Sequence, residues 1–223
     1  ETYDLWVAGK QVTKTNQSNV LGDGTVSYDP DTHTLTLNNA HLTLDGAAGG
    51  YCCIDSQLAE ELTITGTATL SNADGIITAG PLTLNNADLT ITGNIDDDIG
   101  EDAIRAGRSD EDITIQNSTV TIAGTNAEGN FFQYGIRCGN LIVANSTLNV
   151  KADNSSAIVA DELKASGAGT VITAETDSTD EDDYALELEY LTRYDGLVLV
   201  EGEMNKSKKA RIARPEQAPT YFK

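Results

Sequence analysis

The sequence predicts an all-β fold: a single-stranded right-handed parallel β-helix with three strands per rung, about six rungs and an N-terminal β-hairpin cap. One observation is a recurring pair of short alternating segments. It appears as LTLNNAHLTL from Leu35, LTITGTATL from Leu62, LTLNNADLTI from Leu82, ITIQNSTVTI from Ile113, LIVANSTLNV from Leu141 and LKASGAGTVI from Leu163. The starts fall 20 to 31 residues apart, so constant strand pairs alternate with variable loops, as in a solenoid. A second observation is a third short element downstream of each pair: CCIDS, GIITAG, AIRAG, GIRCG, AIVAD and ALELE. Each sets a small residue before an apolar one in period-2 alternation.

Taken in order, YDLWVAGKQVT alternates as a strand, and Trp6, the single tryptophan, is expected to cover the open end of the stack. The segment TVSYDPDTHTLTL reads as a β-hairpin, with Val26 and Tyr28 leading into Pro30-Asp31-Thr32 and Leu35 and Leu37 returning. A terminal rung otherwise exposes apolar core and unpaired strand edge, so residues 1–34 are assigned to this cap. Residues 35–189 hold the repeats. Their columns put Leu35/Leu37, Leu62/Ile64, Leu82/Leu84, Ile113/Ile115 and Leu141/Val143 inward on the first strand, with threonines outward. The third strand has an inward column of Ser56, Thr78, Ala106, Cys138, Ala160 and Leu188. Between the first two strands stand Asn39, Gly66, Asn86, Asn117, Asn145 and Gly167. Asn and Gly share a tolerance of left-handed backbone, so their exchange predicts positive φ in a repeated bend, with stacked Asn side chains able to bond along the axis. Residues 190–214 are read as C-terminal cap strands around the basic turn 206–209, and residues 215–223 as a tail or linker.

Composition narrows the partners. The 223 residues carry a net charge of −21, which argues against a nucleic-acid partner, since that binding relies on Lys and Arg at phosphates. The same charge resists anionic membranes and suits divalent cations. No run approaches the roughly 18 apolar residues of a spanning helix, and the N-terminus lacks a basic region followed by an apolar one; a signal peptide is expected to have been removed. Cys52, Cys53 and Cys138 are odd in number and lack CxxC spacing, so neither a disulfide framework nor a zinc site is indicated. The acidic, Met-poor and Cys-poor repeat composition suggests an extracellular or cell-surface monomer.

Chemistry is sought in what interrupts the repeat. The outward column of the third strand is Asp55, Ile77, Arg105, Arg137, Val159 and Glu187. Two guanidinium groups one strand spacing apart repel unless an anion bridges them. Sugar carboxylates would serve, and so would Asp102 or the turn 110–112. Phe131, Phe132 and Tyr134 stand beside Arg137 in a Gly/Asn/Gln loop and offer stacking surface for a sugar ring, or packing over a neighbouring loop. Asp96, Asp97, Asp98, Glu101 and Asp102 supply hard oxygens of the kind Ca²⁺ takes, as does the run 177–183. Neither run matches EF-hand spacing, and a solvated acidic loop is the simpler alternative. His33 and His41 have no triad context near Cys138.

The opening YDLWVAGKQVT, the LGDGTVSYDPDTHTLTLNNA hairpin and repeats such as LTLNNADLTITG and AIRAG resemble a family of bacterial secreted or cell-surface right-handed β-helix modules that includes polygalacturonate-binding, carbohydrate-binding proteins. The resemblance covers roughly residues 3 to 213. It implies extracellular binding of an acidic, pectin-like polysaccharide, assisted by calcium. Polygalacturonases and pectate lyases share such a scaffold, yet the GHG motif of the former and the motif around the lyase arginine are both absent here, and a shared fold does not confer activity. Three expectations follow, in order: a non-catalytic polysaccharide-binding module, a structural or adhesin-like stalk, and a calcium-dependent lyase using Arg105 or Arg137.

Overall fold

A computed structural model describes residues 1–44, 52–71, 74–92, 102–123, 134–153 and 155–215. The chain opens with β1 (Thr2–Val7), β2 (Lys10–Thr13) and β3 (Val26–Asp29). The repeats supply β4 (Thr34–Thr43), β5 (Cys52–Ser56), β6 (Leu62–Ser71), β7 (Asp74–Thr78), β8 (Leu82–Ile91) and β9 (Asp102–Ala106). They continue as β10 (Ile113–Gln116), β11 (Thr119–Ile122), β12 (Tyr134–Ala144), β13 (Thr147–Ala152), β14 (Ile158–Ser166), β15 (Val171–Thr176) and β16 (Leu186–Arg193). The last strands are β17 (Val198–Glu201) and β18 (Lys209–Ala213). Among the described residues no helix is long and apolar enough to cross a membrane.

This all-β architecture is mostly parallel and compatible with a β-helix. Its parallel pairings form three ladders. The first joins β4, β6, β8, β10, β12, β14 and β16; the second joins the later halves of β4, β6 and β8 to β11, β13 and β15. In the third, β5, β7 and β9 run on to the early halves of β12, β14 and β16. Identity of chemistry down each ladder is what fixes register, since a one-residue slip would turn every apolar side chain outward. Leu82, Ile113, Leu141 and Leu163 meet in sequence on the first ladder and are at most 1% exposed. Burial of each such side chain contributes roughly 1.5–3 kcal/mol. The small third-ladder column Ser56, Thr78, Ala106, Cys138, Ala160 and Leu188 is buried throughout, as its alternation predicts.

The bend column also behaves as expected. Asn39, Gly66, Asn86, Asn117, Asn145 and Gly167 all have positive φ, the asparagines between 49° and 51°. Asp195, at φ 56°, extends the series, and its carboxylate accepts a hydrogen bond from the Gly167 N–H at 2.7 Å. Bonding along the axis is carried by buried hydroxyls one step beyond the asparagines. Ser118 Oγ accepts from the Ala87 N–H, and Ser146 Oγ accepts from the Ser118 N–H, each at 3.0 Å. These serines satisfy backbone donors that the bend removes from the ladder.

Two details differ from expectation. Leu35 pairs with Ile64 rather than Leu62, a two-residue offset that keeps both on the inner face because the side-chain period is two. Trp6 faces outward and is only partly buried; the end is covered by its neighbours Leu5 and Val7, both fully buried. Antiparallel strands close three of the ladder ends. β3 covers β4 with Val26 opposite Leu37, β1 covers β5 with Trp6 opposite Asp55, and β18 covers β15 with Ile212 opposite Ile172.

Candidate functional site

The third ladder presents Asp55, Ile77, Arg105, Arg137, Val159 and Glu187 outward, each half-buried among its neighbours. Register places Arg137 directly opposite Arg105. Adjacent parallel strands lie about 4.8 Å apart, so the two guanidinium groups share one patch of surface. Asp102 resolves the repulsion. Its side chain is 1% exposed, and one carboxylate oxygen accepts from Arg105 Nη1 at 3.2 Å and from Arg137 Nη2 at 2.6 Å. The other oxygen accepts from Arg137 Nε, making the Arg137 contact bidentate. Below Arg137 lies the Tyr134 ring, with the guanidinium carbon 4.2 Å from its centroid, a cation–π contact.

Among the described residues one carboxylate, that of Asp102, is shared by the two arginines. Arg137 is the more committed of the pair: its side chain is 21% exposed against 32% for Arg105. Arg105 Nε is buried without a hydrogen-bond partner. A shallow groove of about 430 Å³ opens beside it, lined by Gln57, Ile77, Thr78, Arg105, Arg108 and Glu111 among others. Beyond the turn that carries Ser109 lies a second groove of about 350 Å³, whose wall includes Asp161, Glu187, Glu189 and Asn205. The first groove sets Arg105 and Arg108 beside Asp110 and Glu111, whereas the charged residues lining the second are all acidic.

Of the residues expected to bind ligand, Arg105, Arg137 and Tyr134 come together, and Phe131 and Phe132 lie outside the described residues. Of the expected metal ligands, Asp96, Asp97, Asp98 and Glu101 also lie outside them, while Asp102 has both oxygens turned to arginine. Among the described residues no group of three or more His, Cys, Asp and Glu side chains is arranged to hold a metal ion. The acidic run 177–183 is held by the protein's own cations: Lys151 pairs with Asp177 at 2.8 Å, and Lys208 Nζ donates to the carbonyls of Asp180 and Asp183. Asp183 itself accepts from Ser155 at 3.2 Å and Ser178 at 2.5 Å.

Asp102, which the sequence offered as a partner for the arginines, stands three residues before the outward column; what column reasoning passed over is that this position recurs down the ladder. Asp102 there reaches Arg137 on the next strand, and Ser156 there donates to Glu187 on the next strand at 2.7 Å, the same relation with different chemistry. The signal was present in DAIR and YGIR, aligned one residue further toward the N-terminus. Cysteine carries no reactive chemistry in this setting. All three are buried and free; burial pushes the Cys53 thiol up to about 12 and those of Cys52 and Cys138 higher still, so each stays protonated at neutral pH. His41 is exposed and engages Thr69 at 2.7 Å.

No protein-family model, curated protein or solved structure matches the chain.

Proposed function

We propose that the protein is a non-catalytic, extracellular or cell-surface module that binds an acidic polysaccharide along its third ladder, on a right-handed parallel β-helix of three strands per rung and about six rungs. The observation that carries this reading is the Arg105–Asp102–Arg137 cluster beside an open polar groove that also presents Arg108, in a chain whose net charge is −21. A cation held in place by a buried carboxylate, at the edge of an open groove, suits a polymer carrying carboxylates and hydroxyls better than a compact apolar ligand. Tyr134 orients Arg137, and Arg105 and Arg108 face the groove. Calcium enters the proposal as a bridge between polymer and protein carboxylates.

Retention on insoluble pectate, with calcium and with chelator, tests the reading. The intact protein is expected to be retained, and the variant carrying both Arg105→Ala and Arg137→Ala to be released. Because that variant strands Asp102, Arg108→Ala supplies a second test at an exposed position, with an expected weakening of about tenfold. Absence of retention on pectate and on neutral polysaccharides alike would overturn the reading. The Asp102 clamp itself favours a second one, a structural spacer in which the arginines serve the fold alone. Under that reading the double variant lowers stability, Arg108→Ala leaves it unchanged, and neither changes binding.

A further inference from the structure

The last strand of the first ladder carries surface that the third-ladder site does not use. Tyr190 and Tyr194 are 64% and 54% exposed, and with Val198 they are the exposed large hydrophobic side chains among the described residues. Tyr190 lies opposite Glu162 and Thr192 opposite Lys164 in register. Period-2 alternation sets Tyr190, Thr192 and Tyr194 on the outer face, while Leu191 packs partly against the core and Leu197 anchors the following turn at 5% exposure. At about 3.3 Å per residue the two tyrosines stand about 13 Å apart along the strand. Their surroundings are polar and fixed: Thr192 Oγ1 donates to Glu162 Oε1 at 2.6 Å, and Lys164 pairs with Glu162 at 3.0 Å.

The backbone adds hydrogen-bonding capacity. Tyr194 N–H donates to the Ala165 carbonyl at 2.9 Å. In a parallel pair the bonding residues alternate, so Tyr190, Thr192 and Tyr194 turn their N–H groups toward β14, and Leu191 and Arg193 turn theirs away from it. Over Tyr190–Arg193 the registers described for β16 are with β14 alone, while Asn205 bonds the earlier part of its other edge at Leu186 and Leu188. The end of the ladder therefore offers two phenol rings, a hydroxyl between them and an open strand edge beside them.

We propose that Tyr190 and Tyr194 form a carbohydrate-stacking platform, on which two sugar rings of one chain lie while the intervening unit passes over Thr192. This rests on the polysaccharide-binding reading and extends it to a second face. Tyrosine suits this ligand: its ring packs on the apolar face of a sugar, and its hydroxyl stays among the polar groups. A second protein chain would be expected to find a broader apolar patch, and among the described residues Val198, at 37% exposed, is the one aliphatic side chain that joins the tyrosines as an exposed large hydrophobic.

The test is retention of the full chain on insoluble pectate and, as a neutral counterpart, insoluble xylan, compared across Tyr190→Ala, Tyr194→Ala, Tyr190→Phe, Tyr194→Phe and Arg108→Ala. Each alanine variant is expected to weaken retention by about tenfold on at least one polymer, with the phenylalanine variants close to the parent. Thermal unfolding of the alanine variants should match the parent, since both rings are mostly in solvent. Parent-like retention of the alanine variants alongside loss by Arg108→Ala overturns the platform and leaves the third-ladder reading standing. A parent retained on no polymer overturns both. A concentration-dependent dimer, seen by sedimentation and dissolved by the alanine variants, assigns the tyrosines to self-association and also overturns the platform.

Discussion

At the bends, one backbone conformation recurs and few side chains meet it. Left-handed φ costs an ordinary L-residue roughly 1–2 kcal/mol, and Asn and Asp offset part of that through local hydrogen bonds. Asn145 at φ 49° and Gly167 at φ 84° occupy successive bends, and they are not interchangeable with alanine to the same degree. A Cβ on Gly167 would lie 2.1 Å from Asn145 Oδ1 and 2.8 Å from its backbone nitrogen; one on Gly66 would lie 1.9 Å from the Leu37 carbonyl oxygen. Asn145→Ala is therefore expected to cost about 1 kcal/mol, and Gly66→Ala clearly more, because a backbone atom cannot swing aside. Urea unfolding measures both, and equal costs would show that steric closure is not what selects glycine. This column was legible in sequence because Asn and Gly exchange for one reason. Asp195 was not, because Arg193 stands where the earlier repeats carry their second inward apolar residue. Asp102 was legible as an acid and as a possible arginine partner; which way its carboxylate points depends on the neighbouring strand.

Strands at the ends of the ladders differ from those within them by direction. Every interior pairing of the ladders is parallel, while β1, β3 and β18 join antiparallel to the first or last strand they cover. A parallel neighbour would present the same unsatisfied edge one step further out, whereas an antiparallel return ends the ladder within a short hairpin or loop. The N-terminal hairpin could be read from Pro30-Asp31-Thr32 between alternating segments, and the C-terminal pair from the basic turn between two apolar runs. The offset between β4 and β6 could not, since a shift of two residues preserves the same pattern of inward side chains. Removing residues 195–215 takes away β17 and β18 and uncovers Ile172 and Ala174, which are each 1% exposed in the intact chain. The shortened chain is expected to form concentration-dependent oligomers that the intact chain does not. Light scattering after size exclusion reads this directly, and identical masses for the two would mean that β15 needs no cover.

Across the whole molecule a continuous apolar interior is wrapped in an acidic surface. Thirty-five acidic side chains stand against 14 basic ones, and several of the basic ones pair locally: Lys151 with Asp177, Lys164 with Glu162, Lys209 with Glu175, and Arg105 and Arg137 with Asp102. The lysine pairs are partly or largely exposed, where an ion pair contributes about 0–1 kcal/mol. Net repulsion among the remaining acids opposes the folded state more than these pairs support it. Raising ionic strength from about 0.01 M to about 0.15 M shortens the screening length from about 30 Å to about 8 Å. That weakens the long-range repulsion and leaves the Asp102 clamp, held at short range around a buried carboxylate, largely intact. The melting temperature is accordingly expected to rise with sodium chloride over that range. A fall would mean that surface ion pairs outweigh repulsion. Calcium added at matched ionic strength separates screening from binding: a further rise requires a site that gathers carboxylates, and equality with sodium requires none.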